Sequence, residues 1–83
     1  MSIVKRKPQK LQIAVFADAV RDIIGDEPFQ VRIEAWRNGS MNTDYDTFAV
    51  WLPNRGHHVP ADCSTMCMEA CLLMLKHRTE EMT

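Results

Sequence analysis

Three cysteines and two histidines lie close together along the chain, and they are the residues most able to do chemistry. Cys63, Cys67 and Cys71 recur at every fourth position, and His57 and His58 stand a few residues upstream. Thiolate and imidazole are ligands that zinc prefers, and a thiol with a lowered pKa can take part in redox reactions. The pattern therefore allows a metal site, a redox site or the buried side of a helix.

The spacing of the cysteines favours the buried side of a helix, because residues four apart lie on one helix face. Free cysteine is also among the most buried residue types. A zinc site would have to combine Cys63 and Cys67 with His57 or His58, and this doublet does not match the second ligand pair of the usual structural sites. We therefore predict that Cys63, Cys67 and Cys71 pack into the core. Cys63, nearest the helix start, is the one to test for metal binding or reactivity.

No other pattern in the sequence is typical of an enzyme. A nucleophile needs a base and an orienting acid, and no serine or cysteine is placed in this way beside the histidines. There is no glycine-rich phosphate loop, and Asp44 and Asp46 lack the further oxygen ligands of a cation-binding loop. We predict a protein without catalytic activity and without a cofactor.

The composition is that of one soluble globular domain, residues 1–83, with 46% apolar and 25% charged residues. The net charge of −1 gives no overall attraction to nucleic acid. The first ten residues nevertheless carry four basic side chains and no acid: Lys5, Arg6, Lys7 and Lys10. We predict a basic N-terminal arm over residues 1–7, which is either simply solvated or able to contact phosphates.

Nothing in the sequence resembles a membrane span or a signal peptide. No apolar run reaches the ~20 residues that a span requires, and no cleavage site follows the basic start. The three cysteines are odd in number and confined to one segment, which is not a disulfide framework. We predict a cytoplasmic protein that does not associate with membranes.

A first helix is predicted from Pro8 to Gly25, because proline suits a first helical turn and glycine the position after a last turn. Its apolar face consists of Ile13, Phe16, Ala17, Val20, Ile23 and Ile24. Leu11 and Val15 fall outside that face. Since Leu11, Ile13 and Val15 also alternate, a strand over the first turns is the alternative.

Two strands follow, Phe29–Arg37 and Tyr45–Leu52, in which apolar and polar residues alternate. The polar segment between them predicts an antiparallel hairpin. A tight turn would place acidic side chains on the apolar face, which is costly, so a longer loop is favoured. The cross-strand pairs that this register predicts are Phe29–Leu52, Val31–Val50, Ile33–Phe48, Trp36–Tyr45 and Gln30–Trp51.

The segment "PNRGHHVP" is predicted to be a loop, followed by a second helix from about Asp62 to about Arg78 and a frayed tail at 79–83. The predicted fold is a small two-layer α+β domain with the order α-β-β-α, in which the antiparallel hairpin packs against both helices. Its unpaired edges could join two copies into a homodimer with a four-stranded sheet.

This order of helices and strands resembles that of double-stranded-RNA-binding domains. Those domains use a basic start to the second helix, where this chain has "ADCSTMCMEA", and a third strand, which the sequence does not show. The family is therefore not assigned.

The strongest functional signal is the sheet face that the helices leave open. Trp, Tyr and Arg are enriched at binding hot spots, and the candidate binding residues are Trp36, Trp51, Tyr45, Arg32 and Arg37. We predict a non-enzymatic protein–protein interaction module. In style only, it resembles the accessory proteins of phages and mobile elements that inhibit or regulate a larger host complex.

The alternative function is nucleic-acid binding, with bases stacked on the same aromatic face and phosphates held by Lys5, Arg6, Lys7 and Lys10. The acids of the hairpin argue against this function, because Glu34, Asp44 and Asp46 are interleaved with the aromatic residues and would repel a phosphate backbone from that surface. A purely local role of the aromatic residues is the remaining possibility, since cross-strand packing of Trp36 on Tyr45 would shield the hairpin.

Overall fold

A computed structural model describes residues 3–41, 43–61 and 67–81 and shows a small α+β fold. Its elements are β1 (Ile3–Arg6), α1 (Lys10–Ile24), β2 (Gln30–Asn38), β3 (Thr43–Leu52), β4 (His57–Val59) and α2 (Met68–Glu81). The strands form one antiparallel sheet in the order β1-β2-β3-β4. Both helices pack on one side of this sheet, α1 against β2 and α2 against β3 and β4.

The first predicted helix is confirmed, and the strand alternative for its first turns is wrong. Phe16 and Val20 are fully buried, while Leu11 is 75% exposed and Val15 50% exposed. The helix ends at Gly25, which has a φ of 71° and whose N–H donates to the Arg21 carbonyl at 2.8 Å. A positive φ is costly for residues with a Cβ, so glycine suits this helix end.

The predicted hairpin register is confirmed, because β2 and β3 pair Val31 with Val50 and Trp36 with Tyr45. The predicted pairs Ile33–Phe48 and Gln30–Trp51 are present as well. The predicted pair Phe29–Leu52 is not, because β2 begins at Gln30 and Leu52 pairs with His57. The pairing continues to Asn38 and Thr43, one to two residues beyond the predicted strand ends. The apolar side chains of both strands thus reach one face together, which is the arrangement that burial favours.

The sheet has two further strands beside this hairpin, and neither was predicted from the sequence. Residues 3–6, treated above as part of a basic arm, form β1, with Lys5 opposite Trp36. Residues 57–59, treated as a loop, form β4, with Val59 opposite Val50. Segments of four and three residues are too short to show alternation, and their partners in the sheet provide the hydrogen bonds that hold them. The sheet therefore has four strands within a single chain.

The core lies between the helices and one face of the sheet. Phe16 meets Phe48 edge to face, with ring centroids 5.1 Å apart, an arrangement that aromatic rings favour. The remaining fully enclosed side chains around them come from both layers: Val20, Val50, Leu52, Cys71 and Leu75. Burial of these side chains is what holds the helices on the sheet.

The second helix begins later than predicted, at Met68, and ends at Glu81. Asp62, the predicted N-cap, lies outside the described residues. Residues 79–81, predicted to be frayed, continue the helix, and the Thr79 hydroxyl donates to the Lys76 carbonyl at 2.9 Å.

An ion pair connects two turns at one end of the fold. Arg55, between β3 and β4, donates to both carboxylate oxygens of Glu27 at 2.8 Å. The hydrogen bonds to Glu27 raise the pKa of the Arg55 guanidinium.

Replacing Phe16 by alanine should destabilise the fold by about 3–5 kcal/mol, because the change removes a fully buried ring and leaves a cavity. Urea unfolding followed by circular dichroism measures this change. Leu11→Ala on the same helix is the control and should alter the free energy of unfolding by no more than ~0.5 kcal/mol. Equal effects of the two changes would contradict the assigned faces of α1.

Candidate functional site

The side of the sheet opposite the helices is the candidate site, and we call it the outer face. Cross-strand partners share a face, so the pairing of the strands defines its members. Its side chains include Lys5, Gln30, Arg32, Glu34, Trp36, Tyr45, Thr47, Ala49, Trp51 and His58. No described helix covers this face.

One end of the outer face carries Trp36, Tyr45 and Lys5. Trp36 lies between the other two across neighbouring strands. The Lys5 Nζ stands 5.9 Å from the centroid of the Trp36 ring, within the range of a cation–π contact. Both aromatic side chains are half-buried, so their rings are partly accessible to another molecule.

The other end of the outer face carries Trp51 and His58. Their ring centroids are 4.4 Å apart, with a tilt of 35° between the planes. Six residues of strand separate this end from the first, which corresponds to about 20 Å. The three aromatic residues predicted for the site therefore share one face but form two separate clusters.

Charged side chains occupy the stretch between the clusters. Arg32 Nη2 donates to Glu34 Oε1 at 2.6 Å, and Lys5 Nζ lies 3.8 Å from the same oxygen. The Arg32 and Lys5 side chains are 67% and 61% exposed, whereas the Glu34 side chain is 19% exposed. Two projecting cations thus flank one recessed carboxylate, and the outer face has a formal charge of +1 when His58 is neutral.

A shallow groove of about 430 Å³ lies beside Trp51. Ala49 forms its floor and is 7% exposed. Gln30, Arg32 and His58 complete the outer-face side chains around it. Because alanine is small, the larger side chains rise around it and form this depression.

Two residues of the outer face were not assigned to it from the sequence: Lys5 was predicted as a phosphate contact of the N-terminal arm, and His58 was considered as a metal ligand. Both were assigned to irregular segments, so their face could not be read. The alternation of Lys5 with Arg6 and of His58 with His57 would have indicated their faces once the strands were known.

The sequence analysis also placed Arg37 in the site, but Arg37 lies on the helix side of the sheet by strand alternation. There its Nε is 3.8 Å from the Asp44 carboxylate. Asp46 is on this side as well and accepts from Gln12 of α1 at 2.8 Å. Of the three acids expected on the aromatic surface, only Glu34 lies there. Asp44 and Asp46 belong to the opposite face.

The four basic residues near the N-terminus do not form one patch. Lys5 is on the outer face, whereas Arg6 is on the helix side, where its Nη2 donates to Asp46 Oδ1 at 2.8 Å. Lys7 is exposed in the link after β1, and Lys10 is exposed at the start of α1. Strand alternation is what separates the first two.

The cysteine prediction is confirmed for Cys71 and wrong for Cys67. Cys71 is fully buried, and its thiol donates to the Val59 carbonyl at 3.5 Å. Cys67 precedes the helix and is exposed. Its sulfur accepts the Ala70 N–H at 3.4 Å, as a capping group does. Cys63 lies outside the described residues.

The two histidines point to opposite sides of the sheet, since they are neighbours in β4. This separation keeps them from acting as one ligand pair. Within residues 3–41, 43–61 and 67–81, no three His, Cys, Asp or Glu side chains are close enough to hold a metal ion.

Comparisons with known proteins give no relative: no protein-family model matches the chain, and no curated protein and no solved structure is significantly similar to it. Neither described helix has the length and apolar character needed to cross a membrane.

The two described cysteines should differ in reactivity. In a Cys63→Ser background, pretreated with reductant, a thiol reagent should modify Cys67 within seconds to minutes and Cys71 only when the protein unfolds, because a buried thiol is inaccessible. Mass spectrometry of the labelled peptides measures both rates. Cys67→Ser is the control and should remove the fast reaction. Rapid labelling of Cys71 in the folded protein would contradict the burial described here.

Proposed function

We propose that the chain is a small non-enzymatic module that binds another protein through its outer face. The observation that carries this proposal is that both tryptophans and the only tyrosine of the chain lie on the face that the helices leave uncovered. Side chains of these types anchor protein interfaces when a partner desolvates them.

The dimensions of the outer face suit a small interface. Four strands span about 15 Å and the ten residues of β3 about 30 Å, so the outer face has a flat footprint of about 450 Å². A standard interface buries about 800 Å² on each partner. The proposed contact therefore belongs to the transient class, with the two aromatic clusters as anchors.

Nucleic-acid binding is the second candidate, and two observations favour it. Asp44 and Asp46 are directed away from the outer face, which leaves Lys5 and Arg32 beside the aromatic rings. Single-stranded nucleic acid binds through such a combination of stacking and positive charge. The structure also supplies a third strand after the hairpin, β4, which the comparison with double-stranded-RNA-binding domains lacked. The segment "ADCSTMCMEA" still has no basic residue.

The charge of the outer face favours protein over nucleic acid. Affinity for a phosphate backbone grows with the number of phosphates neutralised, and this face has a formal charge of +1 only. Arg6, one of the predicted phosphate contacts, is held by Asp46 on the other side of the sheet.

A homodimer through β1 is compatible with this function. β1 is an edge strand that pairs with β2 alone among the described strands, and Ile3 and Val4 are 51% and 56% exposed. If both copies keep their helices on the same side, Val4 can lie opposite Val4 of the second copy and Ile3 opposite Lys5. This register avoids placing like charges opposite each other.

The cytoplasmic location and the role as an inhibitor or regulator of a larger host complex stay predictions. They follow from the size and the composition of the chain.

The double change Trp36→Ala and Trp51→Ala should abolish capture of a specific partner from a lysate of the source cells, because it removes both aromatic anchors. Quantitative mass spectrometry after affinity capture, with and without nuclease, measures this loss. The control is Leu11→Ala with Leu73→Ala, which removes two exposed side chains from the helices. Unchanged capture by the tryptophan variant would contradict the proposal, and capture that nuclease abolishes would favour the second candidate.

Val4→Lys should weaken self-association, because it would place two cations opposite each other at the centre of the β1 pair. Sedimentation equilibrium across a range of concentrations measures the oligomeric state. Val15→Lys is the matched control, since Val15 is similarly exposed on α1 and should leave self-association unchanged. A wild-type protein that is monomeric throughout, or a Val4→Lys variant that dimerises normally, would contradict pairing at this edge.

A further inference from the structure

We propose that the partner segment bound by the outer face is an acidic, extended peptide with at least one aromatic or large apolar side chain. This inference rests on the proposed docking function and names the chemistry of the partner. It follows from the way in which charge, exposure and shape are combined on the outer face.

The first observation is the imbalance between cations and carboxylate at the surface. Arg32 and Lys5 project into solvent, while Glu34, the only carboxylate on this face among the described residues, is largely enclosed. Arg32 uses two of its N–H donors on Glu34, and a guanidinium has five. The others can bind a second carboxylate, which a guanidinium does with favourable geometry.

The second observation is that each cation stands beside an aromatic cluster. Lys5 is next to Trp36, and Arg32 borders the groove beside Trp51 and His58. Both cations nevertheless reach the same Glu34 oxygen, so Lys5 Nζ and Arg32 Nη2 lie within about 6 Å of each other. Alternate residues of an extended peptide are about 7 Å apart, so two carboxylates at such positions could each contact one cation.

The third observation is the groove above Ala49. Its floor is a methyl group and one wall is an indole ring, so an aromatic or large apolar side chain would bury surface there. The volume of about 430 Å³ exceeds what a carboxylate alone would need. A carboxylate against Arg32 and an apolar side chain in the groove would be neighbours in the same peptide.

A phosphate backbone fits these observations less well than a peptide. Its charges are continuous, so some of them would meet Glu34, and only one net positive charge is present to balance them. A peptide can place one or two carboxylates against the two cations and keep its neighbouring side chains uncharged, so that it presents no further negative charge to Glu34.

Both tryptophans of the chain lie on the outer face, so their fluorescence reports binding there. The probe is a peptide of about ten residues, extended over about 33 Å, that contains glutamate and phenylalanine but no tryptophan. A second peptide has glutamine in place of every glutamate, and a third probe is an oligothymidylate of about ten nucleotides. We expect the acidic peptide to change the emission of the wild-type protein and the glutamine peptide to bind at least about ten-fold more weakly.

Arg32→Gln should weaken binding of the acidic peptide about ten-fold, because it removes the charge-assisted hydrogen bonds. Arg37→Gln is the matched control: Arg37 is on the same strand, is 59% exposed and lies on the opposite face, so its loss should leave the affinity unchanged. Thermal unfolding of both variants verifies that each is folded, and Lys5→Gln gives a second measurement at the other cation.

Three results would overturn the inference: equal binding of the acidic and glutamine peptides, an equal loss in Arg32→Gln and Arg37→Gln, or no emission change with the acidic peptide up to about 1 mM. Preferential binding of the oligothymidylate would overturn it in favour of nucleic acid. If any of these results occurs while partner capture still depends on Trp36 and Trp51, the docking function stands and only the acidic chemistry is wrong. If capture does not depend on the tryptophans, the docking function itself fails.

Discussion

The fold depends on burying the one apolar face of the β2–β3 hairpin. Val31, Ile33, Phe48, Val50 and Leu52 reach that face together only in the observed register, and a shift by one residue would turn one strand's set to the other side. The helices can cover this face because each presents an apolar stripe, centred on Phe16 and Val20 in α1 and on Cys71 and Leu75 in α2. Both helices therefore pack on the same side of the sheet.

The packing of both helices on one side leaves the candidate site uncovered. With both helices on one side, the other face of the sheet carries the alternate residues of every strand, and there the chain has aromatic rings, cations and a small residue. The same alternation places four charged residues on the helix side of the sheet: Arg6, Arg37, Asp44 and Asp46. Strand alternation therefore decides both the composition and the charge of the proposed binding surface.

The sequence predicted the parts of this arrangement that long, regular patterns encode. Fifteen residues of α1 and seven of the nine pairs of the hairpin could be predicted, since several turns or alternations repeat the same signal. β1 and β4 could not be predicted, because three or four residues are too few to show a periodic pattern. For the site, Trp36, Tyr45, Trp51 and Arg32 lie on the predicted face, whereas Lys5 and His58 were not assigned to that face and Arg37 lies on the opposite one.

By itself, the sequence determined the helix–hairpin–helix frame, the register of the hairpin and the face on which the aromatic residues lie. Only the tertiary structure decided that the terminal segment and the segment after β3 become strands, since their hydrogen-bond partners are residues distant along the chain. It also decided that Cys67 is exposed while Cys71 is buried, because burial depends on where α2 begins over the sheet. The separation of the aromatic residues into two clusters, by contrast, follows from the sequence spacing, because Tyr45 and Trp51 are six positions apart on β3, which corresponds to about 20 Å.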